Sequence, residues 1–151
     1  MLNVVAGAGV GFLAAVLWFD LMFDVQVRGH RDAELPAEVR DSIAAYYRRV
    51  TTNAFPMNRL VAAAMLATLA ALVGEVAGSD VPAWAAWCSL GLTAAAVGLA
   101  AGRTVNNAVR LGSQAGTATE QSVLARTIFR DHVACVAAVG VALGLQIAGA
   151  R

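Results

Sequence analysis

The chain has 151 residues, of which 59% are hydrophobic and 14% are charged, and its formal net charge at pH 7 is +1. Soluble domains carry roughly 25% charged residues, so this composition excludes an ordinary soluble domain. Apolar stretches of the roughly 20 residues that span a bilayer instead predict an all-α integral membrane protein. The near-neutral charge gives no indication of nucleic-acid binding, and no such partner is expected.

The first predicted element is a transmembrane helix over about residues 2–27. Its apolar run ends in WFDLMFD, which places the carboxylates of Asp20 and Asp24 one turn apart on the same helix face. No basic segment precedes the run and no small-residue cleavage site ends it, so we interpret it as a span and not as a signal peptide. Gly7 and Gly11 have the four-residue spacing of a close-packing helix face.

A charged loop follows, and then a predicted amphipathic helix over about residues 36–50. Pro36 suits the first turn of a helix, and apolar residues recur at helical spacing along one face that includes Tyr46 or Tyr47. Because the arginines fall outside that face, we expect the helix to lie along the membrane surface. The alternative is a helix that packs as a soluble element beneath the bundle.

Three more spans complete a predicted four-helix transmembrane bundle with one amphipathic surface helix. The helix of the third span can continue to Leu111, beyond the membrane. Residues 117–120 (TATE) resemble a capping box, so the last helix begins there and its first turns project from the bilayer. The three spans cover about residues 56–76, 82–103 and 129–149.

The arginines define an orientation for this bundle. The chain contains no lysine, and ten of its eleven arginines fall on the side of the two long loops, with Arg151 alone on the other side. The short turn opposite the loops carries Glu75 and Asp80. By the positive-inside rule, the loop side is cytoplasmic and both termini are outside, which we expect in a bacterial cytoplasmic (inner) membrane.

Antiparallel threading brings a layer of polar residues together at the loop side of the membrane. The first and third spans end there, and the second and fourth begin there. Ionisable groups at membrane depth are costly and indicate function. The catalytic candidates in this layer are Asp20, Asp24, His132 and Asn106. The candidates for a ligand-binding or ion-pair layer are Asn58, Arg59, Arg103, Arg110, Arg130 and Asp131.

Three kinds of chemistry fit this layer. Asp20, Asp24 and His132 can be ligands of a divalent metal, although they form a small ligand set with no motif spacing, and no other cofactor is indicated. Alternatively, the aspartates neutralise the arginines in an ion-pair network, to which the rigid guanidinium fork is suited. In the third interpretation a metal-free pocket uses His132 as a proton carrier paired with Asp20 or Asp24.

Two segments of the polar layer carry a family resemblance. Residues 103–110 (RTVNNAVR) place paired asparagines at the end of the third span, and residues 126–132 (RTIFRDH) open the fourth. With the four-span layout, they resemble the anthrone-oxygenase-like family of small four-helix bacterial membrane proteins. The resemblance implies that architecture and, with it, an oxygenase activity. The long charged loop and amphipathic helix after the first span depart from the family pattern.

The sequence leaves three functions open, and it leaves open whether the protein is an enzyme. The first is a structural or accessory subunit of a membrane assembly, whose cytoplasmic face binds a partner through the helix at 36–50. It predicts that the polar residues pair fully with one another and that the protein has a flat, exposed apolar face. The second is a membrane-embedded oxygenase or oxidoreductase for a hydrophobic substrate, which predicts a cavity that reaches those residues. The third is an oligomeric channel or carrier, for which a charged midplane group is missing. The expected partners are the lipid bilayer and either further copies of the chain or another membrane protein.

Overall fold

The computed structural model describes residues 2–78 and 81–149, and this part of the chain is helical, without strands. Ser79 and Asp80, from the predicted turn, and the C-terminal Arg151 lie outside the described residues. The α-helices are α1 (Leu2–Asp24), α2 (Ala37–Tyr47), α3 (Met57–Gly78), α4 (Ala83–Leu99), α5 (Val105–Gly112) and α6 (Ala118–Gly149). A 3-10 turn (Val25–Val27) follows α1, and π-helical turns follow α2 (Arg48–Asn53) and α4 (Ala100–Thr104).

Four helical runs are long and apolar enough to cross a membrane, namely Leu2–Val27, Asn58–Gly78, Ala83–Gly112 and Ala118–Gly149. They confirm the predicted all-α, four-helix bundle of a multi-pass membrane protein. Within it, α1 and α4 each pack against both α3 and α6, so α3 and α6 occupy diagonal corners. The chain therefore runs up and down through the bundle with sequential neighbours antiparallel.

Small side chains allow the helices of the bundle to approach closely. The structure places the tightest contact at Gly9, where an added Cβ would collide with the side chain of Thr68 in α3. Gly7 and Gly11 face α6 instead, and a Cβ at either would lie 3.9 Å from Gln146 or Leu143, respectively, which is ordinary van der Waals contact. The small-residue face that the sequence predicts in α1 is therefore present, but Gly9 sets the closest approach.

Two helical runs are longer than the bilayer requires. The α4–α5 run has 30 residues and α6 has 32, which correspond to about 45 Å and about 48 Å of helix, whereas the hydrocarbon core is about 30 Å thick. Both extend beyond the bundle at the end where α1 stops and α3 begins. The predicted capping box opens α6, because the backbone N–H of Glu120 donates to Thr117 Oγ1 and the backbone N–H of Thr117 donates to Glu120 Oε2.

These extensions form a second apolar core that we call the cap. It contains α2, α5, the residues from Val25 to Pro36 and the first turns of α6 up to Phe129. The apolar face of α2, with Ile43 and Ala44 fully buried, packs against α5 and α6. The expectation that α2 rests on the lipid surface is thus wrong, because protein and not lipid covers its apolar face.

Candidate functional site

A cluster of buried polar side chains lies where the cap meets the bundle. In α6, the last residue packed in the cap core is Phe129 and the first in the bundle core is Cys135. Asp131 and His132 fall between the two cores and are 2% and 6% exposed. We call His132 and the four side chains around it the junction cluster, which consists of Asp20, Asp24, Tyr46, Tyr47 and His132.

Asp24 is the centre of the junction cluster. It is fully buried at the end of α1, and both of its carboxylate oxygens are engaged. The Tyr47 hydroxyl donates to Oδ1 at 2.7 Å, and His132 Nδ1 lies 2.6 Å from Oδ2. A carboxylate accepts hydrogen bonds, so Nδ1 carries the proton of this contact. Asp24 thereby fixes the orientation and the tautomer of the imidazole.

Asp20 occupies the other side of the imidazole, one turn earlier in α1. Its Oδ1 accepts a hydrogen bond from the Tyr46 hydroxyl at 2.6 Å, and its Oδ2 lies 3.8 Å from His132 Nε2. Each ring nitrogen of His132 thus faces a carboxylate, one in a hydrogen bond and the other just beyond that distance. The two aspartates lie one turn apart on the same face of α1, as the i,i+4 spacing predicts, and the His132 ring lies between them.

Adjacent tyrosines of α2 close the cluster from the cap side. Tyr46 stacks on Phe23 with ring centroids 4.0 Å apart, and Tyr47 is 2% exposed. Burial raises the pKa of the Tyr46 phenol, as does its hydrogen bond to Asp20. Burial and the negative charge of Asp24 raise the pKa of Tyr47 well above its usual value. Both phenols therefore stay protonated and act as hydrogen-bond donors to the aspartates.

A second buried polar side chain lies beside the junction cluster, on Asp131, the residue of α6 that precedes His132. Asp131 pairs with the guanidinium of Arg103, whose Nε donates to Asp131 Oδ2 at 3.0 Å and whose Nη2 contacts Oδ1. The Thr104 hydroxyl donates to the same Oδ2 at 3.1 Å. Arg103 and Thr104 belong to the π-helical turn after α4, and such widened turns recur where a helix presents functional side chains.

The other residues predicted for the layer do not join these groups. Asn58, Arg59, Asn106, Arg110 and Arg130 are all exposed. The Asn106 amide donates only a long 3.5 Å bond to the Gly102 carbonyl, and Arg59 lies over the ring of Phe55. Of the predicted arginine–aspartate network, the described residues form only the Arg103–Asp131 pair. Asp20 and Asp24 are bound by tyrosine and histidine instead.

The three side chains predicted as metal ligands come together, but one of them, Asp24, is already engaged in hydrogen bonds. Asp20, Asp24 and His132 share the junction, yet both oxygens of Asp24 already accept bonds from Tyr47 and His132. Within residues 2–78 and 81–149, no group of three or more His, Cys, Asp or Glu side chains is arranged to hold a metal ion. Metal binding stays a prediction that this geometry does not favour.

The role of the tyrosine hydroxyls is not predicted by the amphipathic pattern of α2. The helical spacing puts Tyr46 or Tyr47 on an apolar face that is expected at a lipid interface, which accounts for an apolar ring but leaves the hydroxyls unpaired. A buried phenol needs a hydrogen-bond partner, and the two aspartates at the end of the first span are acceptors at the same end of the predicted bundle. The need of the phenols for an acceptor could therefore have predicted that α2 packs against the end of α1.

Comparisons with known proteins give no match. No protein-family description matches the chain, and neither a curated protein nor a solved structure is significantly similar to it.

Proposed function

We propose that this protein is a structural or accessory subunit of a membrane assembly, whose cap presents a fixed surface to a partner. The observation that carries this proposal is the mutual pairing of the buried polar side chains where the cap meets the bundle. Asp24, Tyr47 and His132 satisfy one another, and Arg103 and Thr104 satisfy Asp131. Side chains that hydrogen-bond to one another in this way hold the cap against the bundle, and the groups so engaged are not available to bind a substrate.

The position of the surface grooves also favours a structural role. One groove lies in the cap and is lined by Arg110, Thr119, Glu120, Val123 and Leu124. Another lies between α1 and α6 near the opposite end of the bundle. Neither of these two grooves is lined by a residue of the junction cluster.

The outward face of α2 is the proposed contact for the partner. With its apolar face inside the cap, α2 presents the exposed residues Glu38, Ser42 and Ala45 along its other side, and the π-helical turn after it adds the exposed Arg49. These positions are three or four residues apart and so form one stripe. The stripe carries both signs of charge, which suits a polar protein surface on the cytoplasmic side.

Native mass measurement after gentle extraction tests the subunit proposal. We expect a species heavier than the 15.5 kDa chain, with a partner polypeptide in fixed stoichiometry. A photo-crosslinking residue at Ser42 should join the chain to that partner, whereas the same residue at the exposed Ala95 of α4 should not. A single chain that carries a stoichiometric metal or organic molecule, with no crosslink at Ser42, contradicts the proposal.

A membrane-embedded oxygenase or oxidoreductase is the second candidate, and one observation favours it. His132 Nε2 faces Asp20 Oδ2 at 3.8 Å, outside hydrogen-bond distance, while Asp24 orients the ring from the other side. A carboxylate-oriented imidazole with a free nitrogen is suited to general acid–base chemistry. The resemblance to the anthrone-oxygenase-like family supports the same candidate, and the metal or organic molecule sought above would identify it.

We further propose that the protein lies in a bacterial cytoplasmic membrane with the cap in the cytoplasm and both termini outside. The support is the position of the arginines, since those of the cap and the adjoining helix ends stand together at one end of the bundle. Positively charged segments are retained on the cytoplasmic side during insertion.

The channel or carrier hypothesis ranks below the other two, because the junction residues lie at one end of the bundle.

A further inference from the structure

A second buried polar contact lies at the opposite end of the bundle. Glu75 in α3 and Gln146 in α6 are 2% and 3% exposed, and Gln146 Nε2 donates to Glu75 Oε2 at 2.8 Å. Because α3 and α6 stand at diagonal corners, this contact crosses the axis of the bundle. The sequence analysis placed Glu75 among the charges of the short turn, whereas the structure buries it within the helix.

Each partner of this contact leaves one oxygen unsatisfied. Glu75 Oε1 and Gln146 Oε1 are buried, and neither has a hydrogen-bond partner among the described residues. Glu75 also makes no ion pair with any residue in that part of the chain. The neighbouring helices cannot neutralise it, since their stretches 2–19, 83–102 and 133–149 contain no Asp, Glu, Lys, Arg or His. An ionised carboxylate in this setting is strongly disfavoured.

We propose that Glu75 and Gln146 form a proton-binding site, in which a proton on Glu75 Oε1 is donated in a hydrogen bond to Gln146 Oε1. The acid and the amide then form a closed pair, with N–H donated to the acid carbonyl and O–H donated to the amide carbonyl. One proton satisfies both orphaned oxygens and removes the buried charge. This site is independent of the partner proposed for the cap.

A metal cation suits the site less well than a proton does. Hard cations such as Ca²⁺ take about six oxygen ligands or more, and the pair offers two. The hydroxyls of Ser89 and Thr93 in α4 are also buried without partners, and α4 packs against both α3 and α6. Sodium is therefore the competing occupant that the experiment must distinguish.

Infrared spectroscopy of the lipid-reconstituted protein tests the proposal through the carbonyl stretch of a protonated carboxylic acid. At neutral pH we expect this band in the wild-type protein and its loss in Glu75→Gln. The matched control is Glu38→Gln, which removes an exposed carboxylate of α2 and should leave the band unchanged. Gln146→Leu should shift the band to higher frequency, because the acid proton loses its amide acceptor.

The outcomes separate the occupants. A band that is the same in sodium and in choline buffers supports the proton. A band that appears only when sodium is withheld overturns the proposal and assigns the site to sodium. If Glu75→Gln removes no band from mildly acidic to mildly alkaline pH, Glu75 is ionised and the proposal fails. Should Glu75→Gln not fold, Gln146→Leu decides the matter, since an unshifted band contradicts the pairing.

Discussion

At the scale of single residues, Asp24 links three helices through one side chain. It belongs to α1, accepts from Tyr47 of α2 and holds His132 of α6. Asp20 accepts from Tyr46 at 2.6 Å but lies 3.8 Å from His132, and its side chain is 16% exposed. The two aspartates look equivalent in the sequence, but only at Asp20 can water replace a hydrogen bond that a mutation removes.

Because of this difference, replacing each aspartate by asparagine should lower the free energy of unfolding by unequal amounts. Asp24→Asn removes one of two buried acceptors, which leaves a donor of Tyr47 or His132 unsatisfied, so the free energy of unfolding should fall by about 1–3 kcal/mol. Asp20→Asn should cost less, because water can reach that side chain. Unfolding by a denaturing detergent in mixed micelles measures both losses. Equal losses would show that burial does not distinguish the two sites.

Ionisation of the two tyrosine phenols at alkaline pH can be followed by absorbance and reports directly on the junction cluster. The chain contains only two tyrosines, and burial beside the aspartates raises the pKa of both. A free phenol is half ionised near pH 10, so the folded protein should show little tyrosinate absorbance there, in contrast to the unfolded chain.

The same pKa values fix the sign of the pH dependence of stability. The unfolded chain releases its phenol protons first, so the free energy of unfolding should be insensitive to this ionisation below about pH 10 and should fall above it. Tyr47→Phe isolates the signal of Tyr46, whose titration should still lie above the usual range. Tyrosinate forming in the folded protein near pH 10 would contradict the buried hydrogen bonds.

At the scale of elements, the cap depends on the close approach of α5 to the end of α2. A Cβ added to Gly112 would lie 2.7 Å from the backbone nitrogen of Arg48, too close for any side chain. The Gly112 carbonyl accepts a hydrogen bond from Arg48 Nε at 2.9 Å, which requires the same proximity. Gly112 is thus needed for packing between backbones.

Gly112→Ala should therefore loosen the cap without disturbing the bundle. The alanine must push α5 from α2, and we expect a loss of about 1–3 kcal/mol in the free energy of unfolding, as for overpacked sites. Gly98→Ala in α4 is the matched control, because an added Cβ there meets nothing within 4 Å. It should be neutral or slightly stabilising, since alanine favours helix. A comparable loss in both variants would contradict the proposed clash.

Arg126 is one of three α6 residues that bind the loop between α1 and α2, together with Thr119 and Ser122. Arg126 donates from Nη1 to the Ala33 carbonyl at 3.0 Å and from Nη2 to the Asp32 carbonyl at 2.6 Å. Arg126→Gln should free the loop and accelerate tryptic cleavage after Arg28 and Arg31, as followed by mass spectrometry. Arg130→Gln is the control, because Arg130 is exposed and makes no hydrogen bond or ion pair within the described chain. Unchanged cleavage in Arg126→Gln would show that other contacts hold the loop.

At the scale of the whole molecule, periodicity and apolar length were sufficient to predict the bundle but not the cap. The four helices follow from runs that only a bilayer or a core can accommodate, and the gathering of Asp20, Asp24 and His132 follows from antiparallel threading. Whether α2 faces lipid or protein is a tertiary matter that its own amphipathic pattern does not encode. Glu75 shows the same limit, since only the diagonal position of Gln146 explains its burial.

The orientation of the whole molecule is predicted by its arginines and can be measured in intact cells. After Cys88→Ala and Cys135→Ala remove both free cysteines, a single cysteine reports the side on which it lies. Ser113→Cys, in the loop between α5 and α6, should react with a membrane-impermeant thiol reagent only after permeabilisation. Ala77→Cys, exposed at the other end of α3, should react in intact cells, because the positive-inside rule places that end outside. The reverse pattern would place the cap outside, and labelling of both in intact cells would mean that the chain inserts in two orientations.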